Sequence, residues 1–209
     1  MRQDVPYVIT ISRQIGSGGA YIGQRLATRL GISYIDREIV QQAAQRLNIS
    51  KNTLLSRDER ATTSWRSLLK PSVYSTPQAY VPHPLPTDEE IYQAESDIIL
   101  DIAKQTSAVI IGRGGHHVLR THPRHLSIFL HADIAFRQQR IQELYHISPA
   151  RALEIVRSSD ESRASYLRML TGGDWTDATK YHICLDTGIL RLELVEEIIV
   201  TAARARFGW

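Results

Sequence analysis

The sequence predicts an α/β fold in which a mostly parallel sheet of about five strands is covered by helices on both faces. Short runs of apolar and β-branched residues alternate along the chain with longer segments whose apolar residues recur at helical spacing. Such alternation is typical of strands joined by crossover helices, which pair in parallel. The 209 residues are enough to bury one sizeable core, and no internal repeat divides them. We therefore expect a single domain spanning residues 1–209.

The composition restricts the class of protein before any motif is considered. Hydrophobic residues make up 43% of the chain and charged residues 22%, which is typical of a soluble globular protein. No apolar run approaches the roughly 20 residues that cross a bilayer, and no signal peptide is recognisable, so we expect no membrane partner. Cys184 is the only cysteine, which excludes an intrachain disulfide and favours the cytoplasm.

Each element of this fold has its own signal in the sequence. Strands are predicted at residues 7–12, 32–35, 108–111, 126–130 and 181–185. Helices are predicted after the glycines at 16–19, from 38 to about 47, from 87, after 133, from 148 toward 170, and near 190–202. Thr87, Asp133 and Ser148 are the expected N-caps. Residues 57–87 hold five prolines with little periodicity and predict an irregular insertion.

Residues Gly16-Ser17-Gly18-Gly19 lie between the first predicted strand and the helix that follows it. Glycines at such a turn let several backbone N–H groups point into one concavity, and the N-terminus of the helix adds its positive dipole, so the turn can hold phosphate oxygens. The order of strand, loop and helix therefore predicts a phosphate-binding P-loop. A glycine-rich turn that holds no ligand is the alternative.

The loop departs from the P-loop pattern G-x-x-x-x-G-K-[ST] at three places. Arg13 stands where the first glycine is expected, Gly19 where the lysine is expected, and Ala20 where the serine or threonine is expected. The first lysine in the chain is Lys51, far beyond the loop. If the charge of a terminal phosphate is neutralised here, an arginine has to do it. Arg13 in the loop and Arg25 on the following helix are the candidates.

Arginine outnumbers lysine 21 to 4 in this chain. A guanidinium group binds phosphate oxygens in a bidentate fashion, but a compositional bias of the source genome would give the same ratio, so position has to decide. Arg113 follows the strand predicted at 108–111, at the edge where open α/β sheets bind ligands, although a surface turn would also accept an arginine. Arg157, Asp160 and Arg163 recur every three residues on one face of a predicted helix, which is either a binding surface or a solvated ion-pair face.

Asp36 and Arg37 follow the second predicted strand. An aspartate at this place can hold Mg²⁺ through water or accept a hydrogen bond from a ribose or base, and it can equally cap the next helix. Arg137 and Arg140 on the helix after residue 133 either support a lid or are exposed, and exposure is the favoured interpretation. The eight histidines show no metal-ligand spacing, so we expect no protein metal site and interpret them as surface or turn residues.

Five segments, in order along the chain, resemble the cytidylate kinase-like family, a branch of the P-loop nucleoside monophosphate kinases. They are ITISRQIGSGGAYIGQRLATRLGISYIDRE, VIIGRGG, LSIFLHADIAFRQQR, SSDESRASY and YHICLDTGILRLELVEEII. The resemblance covers nearly the whole chain and is weakest across residues 50–90. The family's loop often keeps the GSGG form without the lysine. At Ala20 and Tyr21 this chain departs from the arginine and glutamate that such proteins commonly have.

The resemblance implies a three-layer P-loop NTPase fold with a helical lid and acceptor-binding insertion. It also implies ATP-dependent phosphoryl transfer to a nucleoside monophosphate, with CMP or dCMP as the first acceptors to test. ATP with Mg²⁺ would bind Gly16, Ser17, Gly18, Gly19, Ala20 and Tyr21. The acceptor would bind Asp36, Arg37, Arg113, Asp160 and Arg163. The catalytic arginines would be Arg13, Arg157 and Arg163, with Arg157 on a closing lid.

Other functions fit the same sequence. The missing lysine, with Ala20 and Tyr21, fits a nucleotide-binding regulatory protein without catalysis. The irregular region at 57–87 lies on the acceptor side in the family and would suit a kinase of another small molecule. Nucleic-acid binding is disfavoured, because the net charge of +3 is not clustered along the chain.

Overall fold

Five parallel strands form the centre of the molecule in a computed structural model that describes residues 5–36, 38–47 and 87–208. The strands are β1 (Val8–Arg13), β2 (Ser33–Ile35), β3 (Ala108–Ile111), β4 (His125–His131) and β5 (Ile183–Asp186). Their order in the sheet is β2-β3-β1-β4-β5, and every neighbouring pair is parallel. The predicted parallel sheet is therefore confirmed, and the carboxyl ends of all five strands meet at one edge.

The central strands are buried on both faces. β3 has no exposed residue, and β1 and β4 are buried except at their last residue. Helices on both sides remove these strands from water, which is why they read as nearly continuous apolar runs instead of alternating ones. The burial of these strands holds the carboxyl edge of the sheet in a fixed position.

Seven helices cover the sheet within the described residues. They are α1 (Gly19–Leu30), α2 (Glu38–Arg46), α3 (Asp88–Gln105), α4 (Gly115–Val118), α5 (Ile134–Tyr145), α6 (Pro149–Thr171) and α7 (Leu192–Phe207). The three expected N-caps are confirmed. Thr87 forms a capping box with Glu90, Asp133 accepts from the N–H of Ala135, and Ser148 accepts from the N–H of Arg151.

Alternating residues of β1 divide the core into two layers. Ile9 and Ile11 face α1 and α7, whereas Val8 packs with α2, α3 and α4 on the opposite face. This follows from the two-residue period of a strand, which sends successive side chains to opposite sides. A smaller cluster joins α5 to α6 through Ile141 and Ile155. The fold thus has three layers, with helices on either side of the sheet.

Two sequence predictions fall outside the described residues. They are the structure of the irregular insertion, of which only Thr87 is described, and the position of Arg37. Among the helices that are described, none combines the length and apolar character needed to cross a bilayer.

Candidate functional site

The glycine-rich loop turns sharply between β1 and α1. Gly16 and Gly18 have φ angles of 83° and 81°, in the left-handed region that favours glycine. A Cβ at Gly16 would lie 2.8 Å from the carbonyl oxygen of Arg137, so the loop packs directly against the backbone of α5. The hydroxyl of Ser17 is buried and donates to the carbonyl oxygen of Gln14 at 2.8 Å. Ser17 therefore stabilises the loop through a buried hydrogen bond to its own backbone.

The first turn of α1 presents backbone donors that its own helix does not use. The N–H of Ile22 donates to the carbonyl oxygen of Gly18 at 3.0 Å, and the N–H groups of Gly19, Ala20 and Tyr21 precede this first helical bond. Gly18 contributes no side-chain cap. A helix N-terminus with uncapped N–H groups and a positive dipole is suited to phosphate oxygens.

Arg13 extends from the end of β1 across the carboxyl edge of the sheet. Its Nη2 atom lies 3.9 Å from Oδ1 of Asp36, which follows β2. Its Nη1 atom lies against Gly112, directly after β3. The hydroxyl of Tyr34 donates to the other oxygen of Asp36 at 3.4 Å. The guanidinium group of Arg13 thus stands between the loop and the ends of two neighbouring strands.

Arg137 and Asp160 form a largely buried ion pair next to the loop. Nη1 of Arg137 donates to Oδ2 of Asp160 at 2.9 Å, and its Nε donates to the carbonyl oxygen of Ala132 at 2.9 Å. Arg137 is only 4% exposed, so its predicted exposure is wrong. The reason is its register on α5, one turn before the buried Ile141. The periodicity of apolar residues in this helix is too weak to reveal that register from the sequence.

Two charged atoms at this edge are buried without a hydrogen-bond partner among the described residues. They are Oδ1 of Asp160 and Nη1 of Arg163. Burial of a charged group without compensation costs free energy, so such atoms are rare in folded proteins. We use the name arginine edge for Arg13, Asp36, Arg137, Asp160 and Arg163, which lie together here.

Burial and mutual repulsion perturb the protonation of this group. Burial, together with the positive charge of Arg13, lowers the pKa of Arg163 to about 9, while Asp160 opposes the shift. Burial also raises the pKa of Asp160, against the lowering effect of Arg137. Both shifts disfavour the charged form in the absence of a ligand. A cluster of titratable groups with perturbed pKa values is a physical mark of a candidate functional site.

Arg113 lies in the turn after β3 with a φ angle of 56°, uncommon for a residue other than glycine. Its Nη1 atom donates to Oε1 of Glu95 at 3.3 Å, and the hydroxyl of Tyr166 donates to Oε2 at 2.9 Å. Glu95 is 1% exposed. A buried carboxylate therefore orients this arginine from α3, a role for Glu95 that no sequence motif indicates.

The side chains of the remaining predicted site residues are more exposed than those of the arginine edge. Arg157 is exposed and makes no hydrogen bond or ion pair with another described residue. Ala20 and Tyr21 are exposed, and the hydroxyl of Tyr21 accepts from Arg25 at 3.3 Å. Arg25 also pairs with Glu196 of α7, so its charge is directed away from the loop.

Arg140 approaches the loop, although the sequence predicts it to be exposed. The residue is half-buried, and its Nη1 and Nη2 atoms would lie 3.3 Å from a Cβ built on Gly18. Arg140 stands three residues after Arg137 on α5, so both arginines lie on the side of the helix that packs against the loop. Arg140 is therefore a second arginine of α5 beside the loop.

Two histidines that are interpreted from the sequence as surface or turn residues lie buried in α4 and β4, so that interpretation is wrong for them. His116 is 5% exposed and His125 is 1% exposed. Nδ1 of His116 lies 3.2 Å from the hydroxyl of Ser12, and Nε2 of His125 lies 2.8 Å from the hydroxyl of Thr10. Hydroxyl groups of β1 give these rings partners inside the fold, which sequence spacing does not reveal. Within the described ranges, no group of three His, Cys, Asp or Glu side chains could hold a metal ion.

Comparison with known proteins agrees with this architecture. The sequence profile of the cytidylate kinase-like family matches residues 8–189. An uncharacterized protein from Eubacterium ventriosum is similar in structure, with a TM-score of 0.69 and 21% identity over 96% of this chain and 99% of that chain. No protein among those with curated descriptions matches significantly.

Two solved kinases share the fold at lower identity. A shikimate kinase from Bacteroides thetaiotaomicron has a TM-score of 0.53 and 12% identity, over 97% of this chain and 99% of that chain. A gluconokinase from Sinorhizobium meliloti has a TM-score of 0.52 and 14% identity, over 98% of this chain and 95% of that chain. At such identities the likeness shows the P-loop kinase fold alone.

Proposed function

This chain belongs to the cytidylate kinase-like family, and we propose that it transfers a phosphoryl group from ATP to a nucleoside monophosphate, with CMP or dCMP as the first acceptors to test. The observation that carries the proposal is that two buried atoms of charged groups beside the glycine-rich loop, Oδ1 of Asp160 and Nη1 of Arg163, have no hydrogen-bond partner among the residues that the structure describes. A ligand that brings phosphate oxygens and a hydrogen-bond donor would compensate both atoms, and a nucleotide brings both.

The loop would hold the phosphates of ATP through its backbone. The N–H groups of Gly19, Ala20 and Tyr21 are the donors, and Arg13 and Arg163 supply positive charge. The donor set also fits Mg²⁺, because Asp36 offers carboxylate oxygens and this ion is held by one or two carboxylates together with phosphates and water. When bound, Mg²⁺ would neutralise phosphate charge. Ala20 offers it no hydroxyl.

The acceptor would lie between the ends of the strands and α6. We assign its binding to Asp36, Arg37, Arg113, Asp160 and Arg163. The phosphate oxygen of the acceptor attacks the terminal phosphorus of ATP in line, the bond to the bridging oxygen breaks, and ADP leaves. Arg13, Arg163 and, after lid closure, Arg157 stabilise the charge that develops on the transferred group.

A second candidate function is nucleotide binding without transfer. It is favoured by Gly19 and Ala20, which lack the ammonium and hydroxyl groups of the usual P-loop. Such a protein would hold ATP at the same loop and use it as a signal. The two functions differ only in turnover, so one experiment separates them.

The purified protein is incubated with ATP, Mg²⁺ and a panel of nucleoside monophosphates, and ADP formation is followed beside calorimetric titrations with ATP. Turnover with CMP or dCMP is the expected result. Binding of ATP without turnover on any acceptor would overturn the kinase proposal in favour of the second function. Turnover only with an acceptor that is not a nucleotide would change the substrate class and leave the phosphotransferase assignment in place.

A further inference from the structure

The side chain of Arg13 fills the space directly above Gly19. A Cβ built on Gly19 would lie 2.8 Å from Cβ of Arg13 and 2.7 Å from its Cγ. Real Cβ atoms do not approach other carbon atoms so closely, and Cβ of Arg13 moves only with its backbone. Any side chain at position 19 would therefore displace Arg13.

A second glycine makes room for the other end of the same side chain. A Cβ at Gly112 would overlap Nη1 of Arg13, so the guanidinium group rests on the turn after β3. The tip of an arginine can move away from such a contact, whereas its Cβ cannot. Together with Gly19 it shows that the backbone on both sides of Arg13 is shaped around its stem and its tip.

The two positions carry an exchange relative to the P-loop pattern. In that pattern the first position is glycine and the seventh is lysine, whereas this chain has Arg13 and Gly19 there. The cationic side chain therefore stands at the first position, on Arg13, where the pattern has glycine. The seventh position, which carries lysine in the pattern, is Gly19, because a side chain there would clash with the stem of Arg13.

We propose that Arg13 and Gly19 act as one unit, in which Arg13 delivers to the terminal phosphates of a nucleoside triphosphate the positive charge that a P-loop lysine delivers from position 19. This inference rests on the proposed function, because it takes the ligand to be ATP. Asp36 orients the guanidinium group before the ligand binds. The phosphate then lies between Arg13 and Arg163, whose mutual repulsion it relieves.

The steric half of the proposal is tested without nucleotide. Gly19 lies in the first turn of α1, where alanine is ordinarily better than glycine. We expect Gly19→Ala to lower Tm in the wild-type background. In the Arg13→Gly background it should raise Tm by about 2–4 °C, since the obstructing side chain is gone. An equal change in Tm from Gly19→Ala in the wild-type and Arg13→Gly backgrounds would overturn the steric coupling between Arg13 and Gly19.

The functional half is tested by exchanging the residues. ATP affinity is measured by calorimetry in Mg²⁺ for Arg13→Gly, Gly19→Lys and the double variant, with Arg151→Ala as a control for loss of an arginine elsewhere. We expect each single variant to bind ATP about 10- to 100-fold more weakly, the loss typical of a bond to a charged group. The double variant should recover most of the wild-type affinity, because its lysine then has room.

Three outcomes of this titration are distinct. If the double variant loses ATP affinity by the product of the two single losses, the lysine at position 19 does not replace Arg13 and the proposal is overturned. An unchanged affinity in Arg13→Gly overturns the role of Arg13 while leaving the proposed function intact. A wild-type protein that binds no ATP overturns the proposed function and this inference together.

Discussion

The arginine edge and a histidine-lined cleft bury polar side chains in different ways within one molecule. The cleft, about 350 Å³ in volume, lies beside β4 and β5 and includes His116, His117, His125 and His182 in its lining. We call it the histidine cleft. At the arginine edge the buried groups are ions, whereas in the histidine cleft they are imidazole rings.

The two regions differ in how their polar atoms are compensated. In the histidine cleft, His116 and His125 lie beside hydroxyl groups of β1, and Nδ1 of His182 accepts from the backbone N–H of Ser127 at 2.9 Å. Nδ1 of His125 lacks a hydrogen-bond partner of normal geometry among the described residues, yet burial lowers the pKa of that ring to about 3, so it is neutral at pH 7. The unpartnered atoms of the arginine edge, among the residues the structure describes, belong to groups that carry charge.

The free-energy cost of leaving a buried polar atom without a partner differs between the two regions. An unpartnered neutral atom costs about 1–3 kcal/mol, which a fold can absorb, whereas an unpartnered ion costs more. Buried histidines by themselves are therefore part of the core here. At the arginine edge, Asp160 and Arg163 each keep one buried atom without a hydrogen-bond partner among the described residues, and we expect a bound ligand to compensate these two atoms.

The largest effect is expected for Arg163→Met at the arginine edge. Loss of its charge should lower kcat/KM roughly 100- to 1000-fold, about 3–4 kcal/mol of transition-state stabilisation. The free energy of unfolding of the ligand-free protein should stay the same or rise, because the substitution removes a guanidinium group whose buried Nη1 atom has no hydrogen-bond partner among the described residues. Steady-state ADP formation and urea unfolding measure the two quantities, and a marked loss of stability would contradict the comparison.

Arg137→Met, unlike Arg163→Met, should lower the free energy of unfolding. Asp160 would lose the donor that pairs with its Oδ2 atom, and the carbonyl group of Ala132 would lose another. We expect the free energy of unfolding to fall by about 3 kcal/mol, the low end for a broken buried pair because Asp160 is partly exposed. Urea unfolding checks this beside Arg151→Met, a control on the partly exposed surface of α6, and equal stability of the two variants would count against it.

The buried histidines of the histidine cleft should make the free energy of unfolding depend on pH. Burial lowers the pKa of His116 to about 4 and that of His125 to about 3, so the unfolded chain binds more protons than the folded protein below about pH 6.5. The contribution of these two rings to the free energy of unfolding is therefore present at neutral pH and lost as pH falls. At about pH 5, each ring should lower the free energy of unfolding by roughly 2 kcal/mol relative to neutral pH.

The variant His125→Gln isolates one of these contributions. The fall in unfolding free energy between about pH 7 and pH 5 should be about 2 kcal/mol smaller than in the wild type. His146→Asn serves as the control, because His146 is exposed and asparagine tolerates its positive φ angle. Identical pH profiles for wild type and His125→Gln would show that the ring protonates freely in the folded protein.

The smallest effect is expected for an arginine outside both regions. Arg151 pairs with Glu154 one turn along α6, and Glu154 is exposed. Arg151→Ala should change the free energy of unfolding by less than about 0.5 kcal/mol and leave kcat/KM unchanged. A large loss of activity in this variant would mean that general positive charge, and not the arginine edge, supports the reaction.

Local features of the fold could be predicted from the sequence because their causes are local. The capping side chain of Thr87 lies three residues from its partner, and the left-handed turns at Gly16 and Gly18 favour residues without a side chain. The period of apolar residues predicts the strands and helices in order. These signals are sufficient for the parallel sheet, the loop and the family.

The assembly of the site could not be predicted in the same way. Arg157 and Arg163 carry equal signals on one helix, yet Arg163 has a guanidinium atom buried within the fold and Arg157 is exposed. Arg137 is predicted to be exposed, and it is buried. Which side of a helix meets its neighbour depends on packing between elements, and the hydrogen-bond partners lie far apart along the chain.

The sequence alone is enough to identify the glycine-rich loop, the exchange of Arg13 and Gly19 relative to the P-loop pattern, and the excess of arginine over lysine. The packing of distant elements brings the residues of the arginine edge together, places the stem of Arg13 in the space of a side chain at Gly19, and lets Glu95 orient Arg113. The physical reason is that backbone conformation follows from neighbouring residues, whereas burial and charge pairing arise only when distant segments pack together.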